Sequence, residues 1–141
     1  MNTEPKKPPQ QFIKGEGLVL VVDDEPIMRK IAVNVLKSCG YDVLAAEDGF
    51  IALEIFEKQH TDIKLVLLDL IMPKKSGKEI YLEMKQIQPD VNVLLVSGAK
   101  KDIRIKELLK MGVKGYLEKP YTFSHLSRLV YKLIYKKEKK V

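Results

Sequence analysis

Acidic side chains stand directly behind apolar runs at two places in this chain. Asp23, Asp24 and Glu25 follow LVLVV (18–22), and Asp69 follows LVLL (65–68). Ser97 ends VNVLLVS (91–97), and Lys119 precedes Pro120. Carboxylates gathered in one place repel one another, so they must take up protons or bind a cation. Hard oxygen ligands with no His or Cys nearby favour Mg²⁺ over zinc or copper, and they are too few for a dedicated calcium cage. Mg²⁺ keeps open positions for water or a phosphate oxygen, which brings a phosphoryl group to a carboxylate. In that setting Asp69 would attack phosphorus as a nucleophile and form an aspartyl phosphate. Metal and Lys119 would offset the charge of the transferring group, and Ser97 would donate a hydrogen bond to one of its oxygens.

Such chemistry needs residues distant in the chain to meet, and the intervening segments say how. From Gly17 onward, short apolar runs alternate with segments of helical spacing. The runs are LVLVV (18–22), YDVLAA (41–46), LVLLDL (65–70), VNVLLVS (91–97) and GYLE (115–118). Apolar residues at consecutive positions mark strands buried on both faces, as in parallel sheets. Between them, Ile27, Ile31 and Val35 recur every fourth residue, with Met28 and Leu36 widening the stripe. Pro26 suits a first helical turn and Gly40 a position just past a helix end. Ile51, Ile55 and Phe56 mark a second helix, and Ile80, Met84 and Ile87 a third that ends before Pro89. Ile105, Leu108 and Leu109 mark a fourth, stopped near Gly112, and Leu126, Leu129, Val130 and Leu133 a fifth. Five strands alternating with five helices predict an α/β fold, a five-stranded parallel sheet with helices on both faces. Ligands of such sheets bind at the carboxyl ends of the strands. Asp23, Asp24, Asp69, Ser97 and Lys119 all fall there, so one pocket is expected to collect them.

Composition narrows the class. The 141 residues make about one domain. With 45% hydrophobic and 31% charged residues, the chain is globular. Its longest uninterrupted apolar run, Leu18 to Val22, is far short of the roughly 20 residues of a membrane-spanning helix. No apolar stretch follows Met1, so no secretory signal is expected. The single cysteine, Cys39, excludes an internal disulfide and a multi-cysteine zinc site, and it reads as a small buried apolar residue. A cytoplasmic setting fits. The net charge of +6 is concentrated at the end, where five lysines face one glutamate from Tyr131 to Val141. A basic tail of this kind reads as a solvated helix end. Three units are expected: a flexible, proline-containing leader (1–16), a folded domain (17–135) and a basic tail (136–141). His60 and His125 sit in polar contexts and read as solvent-facing. Lys74, Lys75, Lys100 and Lys101 flank the expected pocket and read as solvated, positioned to draw an acidic partner surface.

The pieces VLVVDDEP (19–26), LVLLDLIMPKKSG (65–77), LLVSGA (94–99) and GYLEKPY (115–121) occur in an order and spacing that resemble the receiver domain of two-component response regulators. The resemblance covers roughly Leu18 to Ile134. It implies the (βα)5, flavodoxin-like receiver fold with Asp69 as phosphoacceptor. Asp24 matches the acid that binds Mg²⁺ directly, and Asp23 its neighbour acting through water. The backbone carbonyl of Ile71 matches the third protein contact to the metal. Ser97 matches the hydroxyl residue that follows the phosphoryl group, Tyr116 the aromatic switch residue, and Lys119 the lysine that pairs with the phosphoryl group. Pro120 matches a proline preceded by a cis peptide bond, which would aim Lys119 inward. The implied function is acceptance of a phosphoryl group from a phosphohistidine of a sensor histidine kinase or histidine phosphotransfer protein. The switched surface would then meet a downstream protein, with no nucleic acid and no membrane insertion expected. Such a domain is not an enzyme on other substrates, because it catalyses only its own phosphorylation and dephosphorylation. The GYLEKPY wording resembles receivers of hybrid kinases, and no output domain is expected within the 141 residues.

Other readings of the same residues fare less well. A haloacid-dehalogenase-type phosphatase needs a second acid two residues after the nucleophile, and that position holds Ile71. A flavodoxin needs a hydroxyl- and glycine-rich phosphate loop after the first strand, where this chain has DDEP. An inactive docking module would not need the complete acidic set.

Overall fold

The computed structural model describes residues 13–98 and 102–135. The leader through Phe12, residues 99–101 (Ala99, Lys100 and Lys101) and the tail from residue 136 lie outside the described residues. Strands β1 (Leu18–Val22), β2 (Asp42–Ala46), β3 (Ile63–Asp69), β4 (Val93–Ser97) and β5 (Gly115–Glu118) alternate with helices α1 (Pro26–Ser38), α2 (Gly49–Gln59), α3 (Gly77–Ile87), α4 (Ile103–Met111) and α5 (Phe123–Tyr135). They form one sheet of order β2-β1-β3-β4-β5, every neighbouring pair parallel.

The consecutive apolar residues of the strands are explained by two cores, one on each face. Leu20 and Val22 of β1, Val66 and Leu68 of β3, and Val93 and Leu95 of β4 face Ala52, Phe56, Ile80, Met84, Ile105 and Leu108 of α2, α3 and α4. The alternate residues Val19, Val21, Leu65, Leu67, Leu94 and Val96 face Ala32, Val35, Leu36, Leu126 and Val130 of α1 and α5. Cys39 is buried in this second core, as expected.

Two helical stripes are narrower than the spacing suggests. Ile27 is 74% exposed and Leu109 41% exposed. Ile27 lies in the first turn of α1, while the buried positions Ala32, Val35 and Leu36 come later in the helix. His60 is half-buried instead of solvent-facing: its ring lies 5.7 Å from that of Phe56, and its Nδ1 is 2.8 Å from Gln88 Oε1.

Local chemistry fixes the helix starts at the carboxyl edge of the sheet. Asp48 accepts a hydrogen bond from the Ile51 amide at the start of α2. Ser76 and Glu79 form a reciprocal capping box on α3. Asp102 caps α4 by accepting from the Arg104 amide. At the opposite edge, residues 13–16, read from the sequence as part of a flexible leader, are instead tied down by hydrogen bonds to the end of α1 and to α5. The Ile13 amide donates to Ser127 Oγ at 2.9 Å, the Gly15 amide to the Cys39 carbonyl at 2.8 Å, and the Glu16 amide to Tyr135 Oη at 2.8 Å. Gly40, just past α1, has φ +102°, and a Cβ there would stand 2.5 Å from the Gly15 carbonyl oxygen.

Candidate functional site

β1, β3, β4 and β5 end side by side because the sheet is parallel and in register, and each end delivers one polar side chain. Asp23 follows β1, Asp69 and Ser97 are the last residues of β3 and β4, and Lys119 follows β5. Carboxylate oxygens of Asp23, Asp24 and Asp69 lie within 4.8 Å of one another. Asp23 and Asp69 are buried, each 5% exposed, and Asp24 is half-buried. Lys119 Nζ sits among them, 3.2 Å from Asp23 Oδ2, 3.2 Å from Asp69 Oδ2 and 2.9 Å from Glu25 Oε1. The Lys119–Pro120 peptide bond is cis.

Backbone and side-chain contacts hold this arrangement. The Ile71 amide donates to Asp69 Oδ1 at 3.2 Å, and the Glu25 amide to Asp23 Oδ1 at 2.9 Å. Arg29 reaches back from the first turn of α1 and donates to the Asp23 carbonyl at 2.8 Å. Gly77 lies against the turn after β3, where a Cβ would stand 2.6 Å from the Asp69 carbonyl oxygen. Ser97 is buried, and Tyr116 Oη donates to its carbonyl at 3.2 Å, which links the expected hydroxyl and aromatic residues directly. A cavity of about 170 Å³ opens beside Asp24 and is bounded by Asp48, Met72 and Lys74.

The electrostatics follow from burial and like charge. Burial pushes the Asp69 carboxyl up to about 6, Lys119 draws it down, and the neighbouring Asp23 raises it again. For Lys119, burial works against the ammonium. The hydrogen bond to Glu25 and the charges of Asp69 and Asp23 outweigh it and hold the group above its ordinary range. Tyr121, just after the cis proline, is pushed up to about 12, first by burial and then by the charge of Asp23. The donor set is oxygen only and carries more negative charge than one ammonium offsets. It fits a hard divalent cation such as Mg²⁺.

The fold thus brings together Asp23, Asp24, Asp69 and Lys119, with Ser97 at the adjoining strand end and Tyr116 bonded to it. The spacing did not assign roles to Arg29, Tyr121 or the side chain of Glu25. Their signals are weak: an arginine four residues after Glu25, an aromatic after Lys-Pro, and the last acid of DDE.

Comparisons with known proteins agree with this geometry. The family model for the response regulator receiver domain matches residues 19–131. The chain is 32% identical over 126 residues to the sensor kinase CckA of Brucella abortus, covering 89% of this chain and 13% of that protein. It is 29% identical over 103 residues to the chemotaxis protein CheY of Halobacterium salinarum, covering 73% of this chain and 84% of that one. It spans 42% and 49% of the probable transcriptional regulators ycf27 of Porphyridium aerugineum and Cyanophora paradoxa, so it is much shorter than several relatives. A receiver domain protein from Clostridium thermocellum superposes with TM-score 0.81 at 32% identity, covering 86% of this chain and 96% of that one. The response regulator TrrA of Thermotoga maritima, crystallised with Mg(2+)-BeF, superposes with TM-score 0.74 at 32% identity, covering 83% of this chain and 98% of that one. With the match running from β1 into α5, the chain belongs to the response regulator receiver domain family.

Proposed function

We propose that this chain is a phosphoacceptor switch that takes a phosphoryl group from a phosphohistidine of a sensor histidine kinase or histidine phosphotransfer protein onto Asp69. One observation carries the reading: the Asp69 carboxylate, buried at a strand end, shares its surroundings with two further acids and the Lys119 ammonium. Asp23, Asp24, Asp69 and the Ile71 carbonyl would hold Mg²⁺, with Asp23 acting through water. When bound, the cation supplies charge neutralisation for the attacking carboxylate and the incoming phosphoryl oxygens.

The chain's own residues account for the remaining work. An Asp69 oxygen attacks phosphorus, the phosphorus–nitrogen bond to the donor imidazole breaks, and its electron pair stays on that nitrogen. Lys119 pairs with the phosphoryl oxygens, which carry more charge than the carboxylate it now faces. Ser97 donates its hydroxyl to one of those oxygens. The phosphoryl charge draws Ser97 inward, and Tyr116, bonded at present to the Ser97 carbonyl, rotates into the space vacated and alters the surface formed by α4, β5 and α5. Water later attacks phosphorus, releasing phosphate and restoring the carboxylate. Beyond this cycle on itself the chain is not an enzyme.

Partner docking is supported by apolar residues around the pocket. Ile27, Ile71 and Phe123, at 74%, 50% and 50% exposure, stand at the start of α1, in the β3–α3 turn and at the start of α5. All three follow strands at the charged carboxyl edge of the sheet, where exposed apolar groups would be buried by a docking protein surface. The relatives include two sensor kinases, which supports a phosphohistidine donor of that kind. Among the described residues no helix is long and apolar enough to cross a membrane. We place the protein in the cytoplasm, with the receiver unit at 17–135 between a leader (1–16) and a basic tail (136–141).

Incubation with acetyl phosphate and Mg²⁺, read by intact mass, tests the reading. Wild type gains one phosphoryl group and Asp69→Asn gains none; no gain by wild type overturns it. The resemblance to receivers implies that the positions two after the acceptor and two after the hydroxyl residue tune this loss; here they are Ile71 and Ala99, whose side chains cannot hydrogen-bond a water, so the phosphoryl group is expected to persist for minutes or longer. Loss of label from purified phosphoprotein within seconds would contradict that expectation.

A further inference from the structure

The shortest contact of the Lys119 ammonium is to Glu25, at 2.9 Å, against 3.2 Å to Asp23 and to Asp69. Glu25 is the one carboxylate of the four that does not belong to the cluster of Asp23, Asp24 and Asp69. Its side chain is 58% exposed, where those of Asp23 and Asp69 are 7% and 6% exposed. Glu25 stands at the N-cap of α1, yet its side chain makes no capping hydrogen bond. The helix has less need of one there, since Pro26 at the first helical position has no amide hydrogen. The Glu25 backbone is held by its amide bond to Asp23 Oδ1, and Arg29 braces the same loop from the Asp23 carbonyl. A preorganised carboxylate, released from capping, is therefore spent on Lys119.

We propose that Glu25 is a positioning residue that shares the Lys119 ammonium with Asp23 and Asp69 and so weakens its competition with a divalent cation for their oxygens. The ammonium has three protons and here meets three carboxylates, so one of its bonds goes to Glu25 and not to the cluster of Asp23 and Asp69. Without the Glu25 charge, Lys119 leans fully on Asp23 and Asp69 and competes with the cation for the same oxygens. With Glu25 present, part of the ammonium's pairing is taken by a carboxylate outside the cluster, while Asp69 stays 3.2 Å away. This rests on Asp69 and its neighbours being the metal and phosphoryl site.

A double-mutant cycle on Mg²⁺ binding tests it, read by titration calorimetry with Mg²⁺ alone, at fixed salt and without any phosphodonor. The four proteins are wild type, Glu25→Gln, Lys119→Met and the double variant. Glu25→Gln should weaken Mg²⁺ binding about fivefold in wild type and less than about twofold in the Lys119→Met background, a coupling of the size seen for directly contacting charges. Lys119→Met alone should tighten binding, because it removes the competing cation. Equal shifts in both backgrounds would mean that Glu25 acts only as a nearby charge and would overturn the proposal, as would no shift in either or no saturable binding. The outcome separates from that of the acetyl phosphate test. A chain labelled on Asp69 with no coupling loses only the Glu25 role, and a chain with the coupling but no label loses only the phosphoacceptor role.

Discussion

At the carboxyl edge of the sheet, carboxylates and an ammonium are packed into a small, largely buried volume. At the amino edge, the contacts are mainly between neutral groups, with the Lys85 ammonium donating to the Met111 carbonyl. There the Asn92 amide donates to the carbonyls of Lys64 and Leu133 at 3.0 and 2.9 Å, and residues 13–16 are stitched to α1 and α5. The only buried side-chain polar atoms without a hydrogen-bond partner among the described residues are Tyr41 Oη and Asn92 Oδ1, both at this edge. The first edge accumulates repulsion that a cation and a phosphoryl group can relieve. The second carries small, fixed costs and joins the ends of the fold. Strain that responds to a ligand is thus kept apart from the contacts that hold the domain closed.

The contrast breaks most visibly at Gly77. A Cβ there meets the Asp69 carbonyl oxygen at 2.6 Å and Leu70 Cα at 2.7 Å, both backbone atoms that cannot step aside. Gly77→Ala should cost about 3 kcal/mol, the upper range for overpacking, as read by urea unfolding. A loss under about 0.5 kcal/mol would show that the turn after β3 yields easily, and that Asp69 is less firmly placed than described.

Charge at the acidic edge sharpens the contrast next. Because the folded-state carboxyl of Asp69 is raised to about 6, the folded protein binds that proton more tightly than the unfolded chain does. Its contribution to stability is complete below the ordinary carboxylate range near pH 4 and is lost as pH rises through about 6. In the presence of a chelator, Asp69→Asn should therefore stabilise the protein by about 2 kcal/mol at pH near 7, and the difference from wild type should vanish toward pH 4. Destabilisation at neutral pH would show that the pairing with Lys119 outweighs burial.

The amino edge should answer with smaller effects and no pH dependence of this kind. Gly40→Ala forces a left-handed φ and a contact with the Gly15 carbonyl, and should cost about 1–2 kcal/mol in the same unfolding measurement. Tyr41→Phe removes a buried hydroxyl that has no partner and should raise stability by about 1 kcal/mol. A loss of stability instead would show that the Tyr41 hydroxyl is satisfied in solution.

How legible these regions are in the sequence differs for a physical reason. Strand ends can be read directly, because a run of consecutive apolar residues followed by Asp, Ser or Lys marks the point where a doubly buried strand reaches solvent. Parallel topology then places Asp23, Asp69, Ser97 and Lys119 along one edge without any knowledge of distances. Side-chain choices across the pocket are not readable that way. The contact of Glu25 with Lys119 joins residues 94 apart in the chain and has no local signal. Ile27 has the spacing of a core residue, but periodicity does not reveal that the first turn of α1 rises above the packed region. The tie between Ile13 and Ser127 spans 114 residues and has no local signal.

Chemical location of the added group tests the central claim most directly. After exposure to acetyl phosphate and Mg²⁺, reduction with borohydride converts an acyl phosphate to an alcohol, and peptide mass then identifies the residue changed. The account predicts homoserine in place of Asp69 and nowhere else. Reduction at Asp23 or Asp24, or an unchanged Asp69 in a protein that has gained a phosphoryl group, would contradict it.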